Sequence, residues 1–517
     1  YYCLCLASCC YYIYLCSSAA TTLQIDGDVT IDNSSTATTN LVYLGVAGDV
    51  TIDGDVDIDN ASTAASGQVY VGNSSTCQVT IGGHANIQNS GVGSNLTRVI
   101  FGYYGDIDLT DSLIILNSST SPNSFVYCNY EDSSVSTYNA DILLESSGAT
   151  TDGISFGQAG GFATLAAGQT VSIGSGGYVS GILYFYNFTQ VGATAQTLHA
   201  TGTADMFITA SDWGGDVDFE SPRLRSQLTL YQGSAVLEKT GAIDDANVGG
   251  NYFSNSATIT NSGSGYMMFG NGNPDTVIGD LELTNNGTYT FYYARNSANN
   301  YISGDLTASH TSTGTSSTFL FADASGSSVT IDGDAILSST STATSTNFYF
   351  GNYGDISIGG DLDITHTASS NTNLFLMAYQ NGAVLNIDGV TFLDISGSGT
   401  SSLAYLGYQR DITFQDSVYI LNGSSATTSE VRIAYEDSSD IVFNGDVVIE
   451  SSHASCDGMT FGAAGGNSTL ANGQRIIIGP NGYIAGALYF YRFHQVGNTA
   501  QSLTTTGTTY NYNSYSN

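Results

Sequence analysis

The chain repeats itself at two periods, and this constrains its fold more than any single motif does. Residues 152–203 (DGISFGQAGGFATLAAGQTVSIGSGGYVSGILYFYNFTQVGATAQTLHATGT) match residues 457–508 (DGMTFGAAGGNSTLANGQRIIIGPNGYIAGALYFYRFHQVGNTAQSLTTTGT) at 32 of 52 positions, an offset of 305. The same offset carries 107–134 onto 412–439, IDLTDSLIILN onto ITFQDSVYILN. Inside the long repeat runs a short one of about 27 residues, as in 23–49 (LQIDGDVTIDNSSTATTNLVYLGVAGD), 50–77, 78–106 and 107–134. A stacked array grows by adding rungs, so a chain of 517 residues need not divide into several globular domains. The expected organisation is an atypical apolar end over 1–22, a first super-repeat over 23–327 with irregular rungs near 203–251, and a partial second super-repeat over 328–517.

Each short unit has one grammar: an alternating strand (VTID), a Gly-Asp corner, a second alternating strand (VDID), a Ser/Thr/Asn-rich turn and an aromatic strand (LVYLG, QVYVG, RVIFG, NFYFG). Three period-two strands per unit predict an all-β, right-handed parallel β-helix (β-solenoid) running continuously over 23–517, with about 18 rungs in a rod on the order of 85 Å. In the third strand, parity predicts that Val42, Leu44, Val69, Val71, Val99, Phe101, Phe348, Phe350, Leu374 and Leu376 face inward. Tyr43, Tyr70, Tyr127, Tyr349, Phe375 and Tyr405 then form an outward aromatic ladder, suited to stacking on sugar rings or on a neighbouring rod. The tract 203–251 holds the single Trp (Trp213), the single Lys (Lys239), Arg223 and Arg225. It reads as a wider rung or lateral excursion, with a partner-docking patch as the alternative.

Nine Lys and Arg against 45 Asp and Glu give a net charge of -36, which argues against nucleic-acid and anionic-lipid partners and favours divalent cations. Five of eight cysteines crowd the first sixteen residues, so no disulfide framework follows. The apolar opening lacks a basic leader region and the length to span a bilayer, so neither a signal peptide nor a membrane span is expected. The last residues, 504–517, are equivalent in position to an interior part of the repeat, which predicts continuation into further rungs.

The clearest polar pattern is the column of Gly-Asp corners: Asp28, Asp55, Asp280, Asp305, Asp334, Asp361 and Asp446. Carboxylates stacked one rung apart repel by roughly 1 kcal/mol even in water. Oxygen-only clusters of this kind suit Ca²⁺, for which Asp28, Asp55, Asp334 and Asp361 are the candidate ligands; the alternative is that Gly and Asp simply suit the turn. The six histidines show no metal spacing and read as surface or corner residues. Asn-x-Ser/Thr sequons recur, at Asn33, Asn60, Asn117 and Asn422 among others.

The phrases LEKTGAIDDANVGG, ATITNSGSGYMMFGNGNPDTVIGDLELTNNGTYTFYYARNSAN and TLAAGQTVSIGSGG resemble the repeat regions of giant surface proteins of Bacteroidota, the gliding and adhesion filaments exported by type IX secretion. The resemblance implies an extracellular, cell-surface, non-catalytic structural segment whose partners are further copies of the same repeat, lateral filament contacts or surface glycans. It also makes Ser112, Thr276 and Ser417 candidate O-glycosylation sites, since each follows Asp and precedes an apolar residue. The competing function class is a β-helix carbohydrate-binding or depolymerase module of the tail-spike or polysaccharide-lyase type.

Overall fold

The computed structural model describes residues 2–5, 11–19, 21–36, 38–147, 153–174, 181–201, 205–245, 249–380, 382–452, 458–479, 484, 486–505 and 510–514. Those residues form strands and turns with no helix. They build a parallel β-solenoid of about 17 turns, resolved as two compact units, Tyr1–Lys239 and Thr240–Asn517. These units part at 239/240, whereas the sequence duplication parts at 327/328. The expected continuation beyond the last rung concerns a stretch of which 506–509 and 515–517 lie outside the described residues.

A turn of the first unit shows the construction. Val50–Ile52 opens it, Val56–Asn60 follows the Gly-Asp corner, and Ser66–Val71 closes it after the Ser/Thr turn. Each strand pairs in parallel with its equivalents in neighbouring turns, giving three sheets. Val56 lies opposite Val29 and Ala85, Val69 opposite Val42 and Val99, and Val50 opposite Leu23 and Val79. Alternation with period two turns one face of each strand into the core. Repeated segments fold alike: Gly153–Phe156 and Gly458–Phe461, like Ile142–Ser146 and Val447–Ser451, are the same strands 305 residues apart.

Like stacks on like inside the third sheet. In the second unit Phe291, Phe319, Phe348 and Phe375 follow one another with ring centroids 5.0, 5.2 and 5.4 Å apart. Phe101 and Phe350 are buried as expected. Phe375 corrects the parity expectation: it pairs with Phe348 and is 1% exposed, so it belongs to the core and not to the outer ladder. Leu374 and Leu376 accordingly take the outward parity, Leu376 in register with Tyr349 and Tyr405 and covered nonetheless. The run NLFLM has apolar residues on both parities, and only pairing with Phe348-Tyr349-Phe350 fixes which side faces in.

The tract after residue 203 is also corrected. Its rungs are narrower, not wider: Val217 pairs with Ala235 and Asp205 with Arg223, both 18 residues on. The broad Ser/Thr turn is missing there, so Ser221 is separated from Arg223 by a single residue. Trp213 is fully buried among Phe185, Phe188 and Phe219 at 5.4, 5.1 and 4.9 Å. Lys239 is buried as well. Core filling in a tight coil therefore accounts for the Trp, which is not part of a docking patch.

Candidate functional site

The Gly-Asp column owes its form to neighbouring rungs. The Asp28 carboxylate accepts the backbone N–H of Asp55 at 3.0 Å and Asp55 that of His84 at 2.8 Å. In the second unit Asp280, Asp305, Asp334 and Asp361 each accept the N–H one rung on, at 3.0, 2.8, 2.8 and 2.7 Å, and Asp446 accepts that of Arg475 at 2.7 Å. Charge-assisted bonds to backbone donors are the term that offsets the repulsion between stacked carboxylates. The glycine follows from the same contact. A Cβ on Gly54, Gly304, Gly333 or Gly389 would stand 2.3 Å from the carboxylate oxygen of the preceding rung's Asp. Among the described residues no group of three or more His, Cys, Asp or Glu is placed to hold a metal ion.

A second ladder runs inside the coil at the end of the second strand. Asn33, Asn60, Asn89 and Asn117 are buried and pass amide hydrogen bonds along the stack, Nδ2 to Oδ1, at 2.8, 2.9 and 3.1 Å. Three of these are sequon asparagines, and buried Asn422 is a fourth. Their Asn-x-Ser pattern is the signature of the ladder and its turn, where Ser62 Oγ donates to Ser35 O and Ser424 Oγ to Gly397 O. In the second unit the column reads Asn261, Asn285, His310, Ser339, His366, Ile395, Asn422. His310 and His366 are thus core residues, which corrects their reading as surface residues; His84 and His199 are exposed, and His453 lies outside the described residues. Burial pulls the His310 pKa down to about 3 and that of His366 to about 4.

The outer face of the third sheet carries the aromatics. Tyr14, Tyr43 and Tyr70 stack at 5.0 and 4.9 Å, and burial with neighbouring phenols pushes the Tyr43 hydroxyl up to about 12. Tyr127 and Tyr405 also take outward parity yet are 5% and 8% exposed. Corner tyrosines fold over them: Tyr130 lies 4.8 Å from Tyr127, and Tyr408 and Tyr435 lie 5.2 and 5.3 Å from Tyr405. Tyr349 is half-buried beside Tyr379 at 5.3 Å. Of the eight arginines, five lie over this cladding: Arg98 over Tyr127, Arg223 and Arg225 over Phe207, Arg295 over Tyr292, and Arg432 over Tyr405 and Tyr435, at 4.7–5.8 Å. The signal that locates them is an Arg inside or just beyond an aromatic strand, as in TRVIF and EVRIA.

One groove of about 390 Å³ opens on this face in the second unit, lined by Glu430, Arg432, Tyr435, Thr460, Tyr489 and Tyr491 together with Ala463 and Ala464. Arg432 pairs with Glu430 at 2.7 Å and donates to the Tyr405 hydroxyl at 2.9 Å. Thr460 Oγ1 donates to Glu430 at 2.7 Å. Of the candidate glycosylation residues, Ser112 and Ser417 occupy the same half-exposed corner, each N–H bonded to the preceding Asp carboxylate. Thr276 sits within a strand behind the buried Asp275. No protein-family model, no curated protein and no solved structure matches the chain.

Proposed function

We propose that this chain is a non-catalytic structural segment of an extracellular filament or giant cell-surface adhesin, the class its repeats resemble. The observation that supports this reading is where its polar side chains go. Corner carboxylates, the asparagine ladder and the turn serines all bond to the next rung, at a spacing of 27 to 29 residues in regular rungs. Side chains used this way make each rung a template for the next, which is what a length-setting element requires. The partners are further copies of the same repeat, in the same chain or head to tail. Ser112 and Ser417, at half-exposed corners, are the better-placed glycan acceptors.

The test compares the chain with a version carrying additional copies of the long repeat. Electron microscopy should show lengthening by about 4.8 Å per added rung, and antibodies to the chain should label the outside of intact producing cells. Cleavage of surface polysaccharides by the purified chain, read as new reducing ends, would overturn the proposal in favour of a depolymerase. The arginine-tyrosine face favours one second reading, a carbohydrate-binding module on the same scaffold.

A further inference from the structure

We infer that the groove floored by Thr460 is a binding site for one pyranose ring of a neutral glycan. The inference goes beyond the structural role and holds whether or not the chain forms filaments. In the third sheet, register stacks Tyr405, Arg432, Thr460 and Tyr489 in one outward column. Thr460 is the one short side chain in that run, so the column is notched there and its neighbours become walls. Tyr489 and Tyr491 stand nearly parallel, 17° apart with centroids at 5.6 Å, and make a platform on one side. Arg432 and Glu430, from the preceding rung, make the other wall, with Tyr435 at its end.

Those walls select the occupant. A sugar ring is amphipathic: its axial C–H faces pack on aromatic rings while equatorial hydroxyls want donors and acceptors at the rim. Tyr489 and Tyr491 offer the first. The Arg432–Glu430 pair offers both donor and acceptor from partly exposed side chains, 26% and 17% accessible. Because the two charges neutralise each other at 2.7 Å, the groove holds no uncompensated charge for an ionic ligand. The chain's net charge of -36 further disfavours a polyanionic glycan. A volume of about 390 Å³ falls in the range of small-ligand sites.

The other repeat copy supplies a control. At the 305-residue offset, Ser155 replaces Thr460 and Tyr184 and Tyr186 replace the platform, but Phe125 and Tyr127 replace Glu430 and Arg432. Phe125 and Tyr127 stack at 4.9 Å and Ser155 is sealed, with its hydroxyl lacking a partner. The same scaffold without the ion pair is therefore closed, and the equivalent position in the first unit should not bind.

The experiment uses the whole chain with maltohexaose, cellohexaose, laminarihexaose and a hexuronate oligomer as probes, read by saturation-transfer NMR and titration. At least one neutral oligosaccharide should bind with Kd near ~1 mM, as a single aromatic-lined ring site allows. Thr460→Tyr would fill the notch in the outward column, and should weaken binding about tenfold or more while the chain keeps its β-sheet circular-dichroism spectrum and a cooperative unfolding transition. Glu430→Gln, which keeps the shape, should weaken it severalfold. Ser155→Tyr should leave binding unchanged. The inference is overturned if no neutral probe binds, if only the hexuronate binds, or if Thr460→Tyr binds as the parent does.

Discussion

The buried histidines make the chain acid-sensitive in one place. His310 and His366 occupy positions that asparagine fills elsewhere in the column, and both are fully buried. His310 Nε2 bonds Ser317 Oγ at 2.7 Å, and neither nitrogen of His366 has a partner. Their folded pKa values lie below the ordinary value of 6.5, at about 3 and about 4. The unfolded chain therefore binds the protons that the folded chain refuses. Stability from these groups is whole above pH 6.5 and falls as pH drops through the window from 6.5 to about 4. At 1.36 kcal/mol per unit, full expression of the shifts corresponds to about 3 kcal/mol for His366 and about 5 kcal/mol for His310. Coils in a solenoid open locally, so the right readout is regional. Hydrogen exchange of peptides covering 306–375, corrected for intrinsic rate, should lose protection between pH 6.5 and 4, while peptides covering 29–117, with the asparagine ladder, should not. Acidification also relieves repulsion among 45 carboxylates, which works in the opposite direction and acts on both regions. The double substitution His310→Asn with His366→Asn should abolish the regional loss. An equal loss in the double variant would refute the reasoning.

Three further outcomes follow from the ladders. Phe375→Ala should cost about 3 to 5 kcal/mol of local stability by denaturant unfolding, whereas Tyr349→Ala, on the outer face, should cost clearly less; equal costs would restore the parity first expected. Gly333→Ala should destabilise by about 1 kcal/mol, because its Cβ meets the Asp305 carboxylate at 2.3 Å and breaks the bond to the Asp334 N–H, whereas Gly27→Ala, with nothing within 4 Å, should be neutral or slightly stabilising. Chelation by EDTA should leave thermal unfolding unchanged, since backbone amides already serve the corner carboxylates; a large fall in Tm would place Ca²⁺ at Asp28, Asp55, Asp334 and Asp361.

The solenoid, its three strands per turn and most of its inward residues were legible because strand periodicity and rung period are both printed in the sequence. Parity failed at Phe375, where NLFLM is apolar on both sides and only the neighbouring rung decides. The narrow rungs near Trp213 were read as wide because unusual residues suggest insertion, whereas what marks a tight coil is the absence of the Ser/Thr turn. The sequons at Asn33, Asn60 and Asn117 have a physical origin of their own: an asparagine that bonds its equivalents in neighbouring rungs is followed by turn serines, and that spelling coincides with a glycosylation signal. The groove at Thr460 was invisible because one short residue acquires meaning only between Arg432 and Tyr489, which lie 28 and 29 residues away.

Neighbouring rungs govern the corner column in the same way. An Asp in one turn fills the space where the next turn would place a Cβ, and its oxygen binds the N–H of the residue after that position. Asp28 thereby demands Gly54, Asp55 demands Gly83, and Asp305, Asp334 and Asp361 demand Gly333, Gly360 and Gly389. The dipeptide Gly-Asp is then self-propagating, because each Asp that satisfies its own turn imposes glycine on the next. Where a broader corner relieves the contact the demand lapses: Asp141 and Asp446 still bind the N–H groups of Thr170 and Arg475, at 2.7 Å each, but the preceding residues are Gln169 and Gln474. A slip of one residue between rungs would set the Asp28, Asp305 and Asp361 carboxylates against a residue with a Cβ and turn the asparagine ladder out of the core. The polar columns therefore fix the register that the interchangeable Val, Ile and Leu of the core leave open.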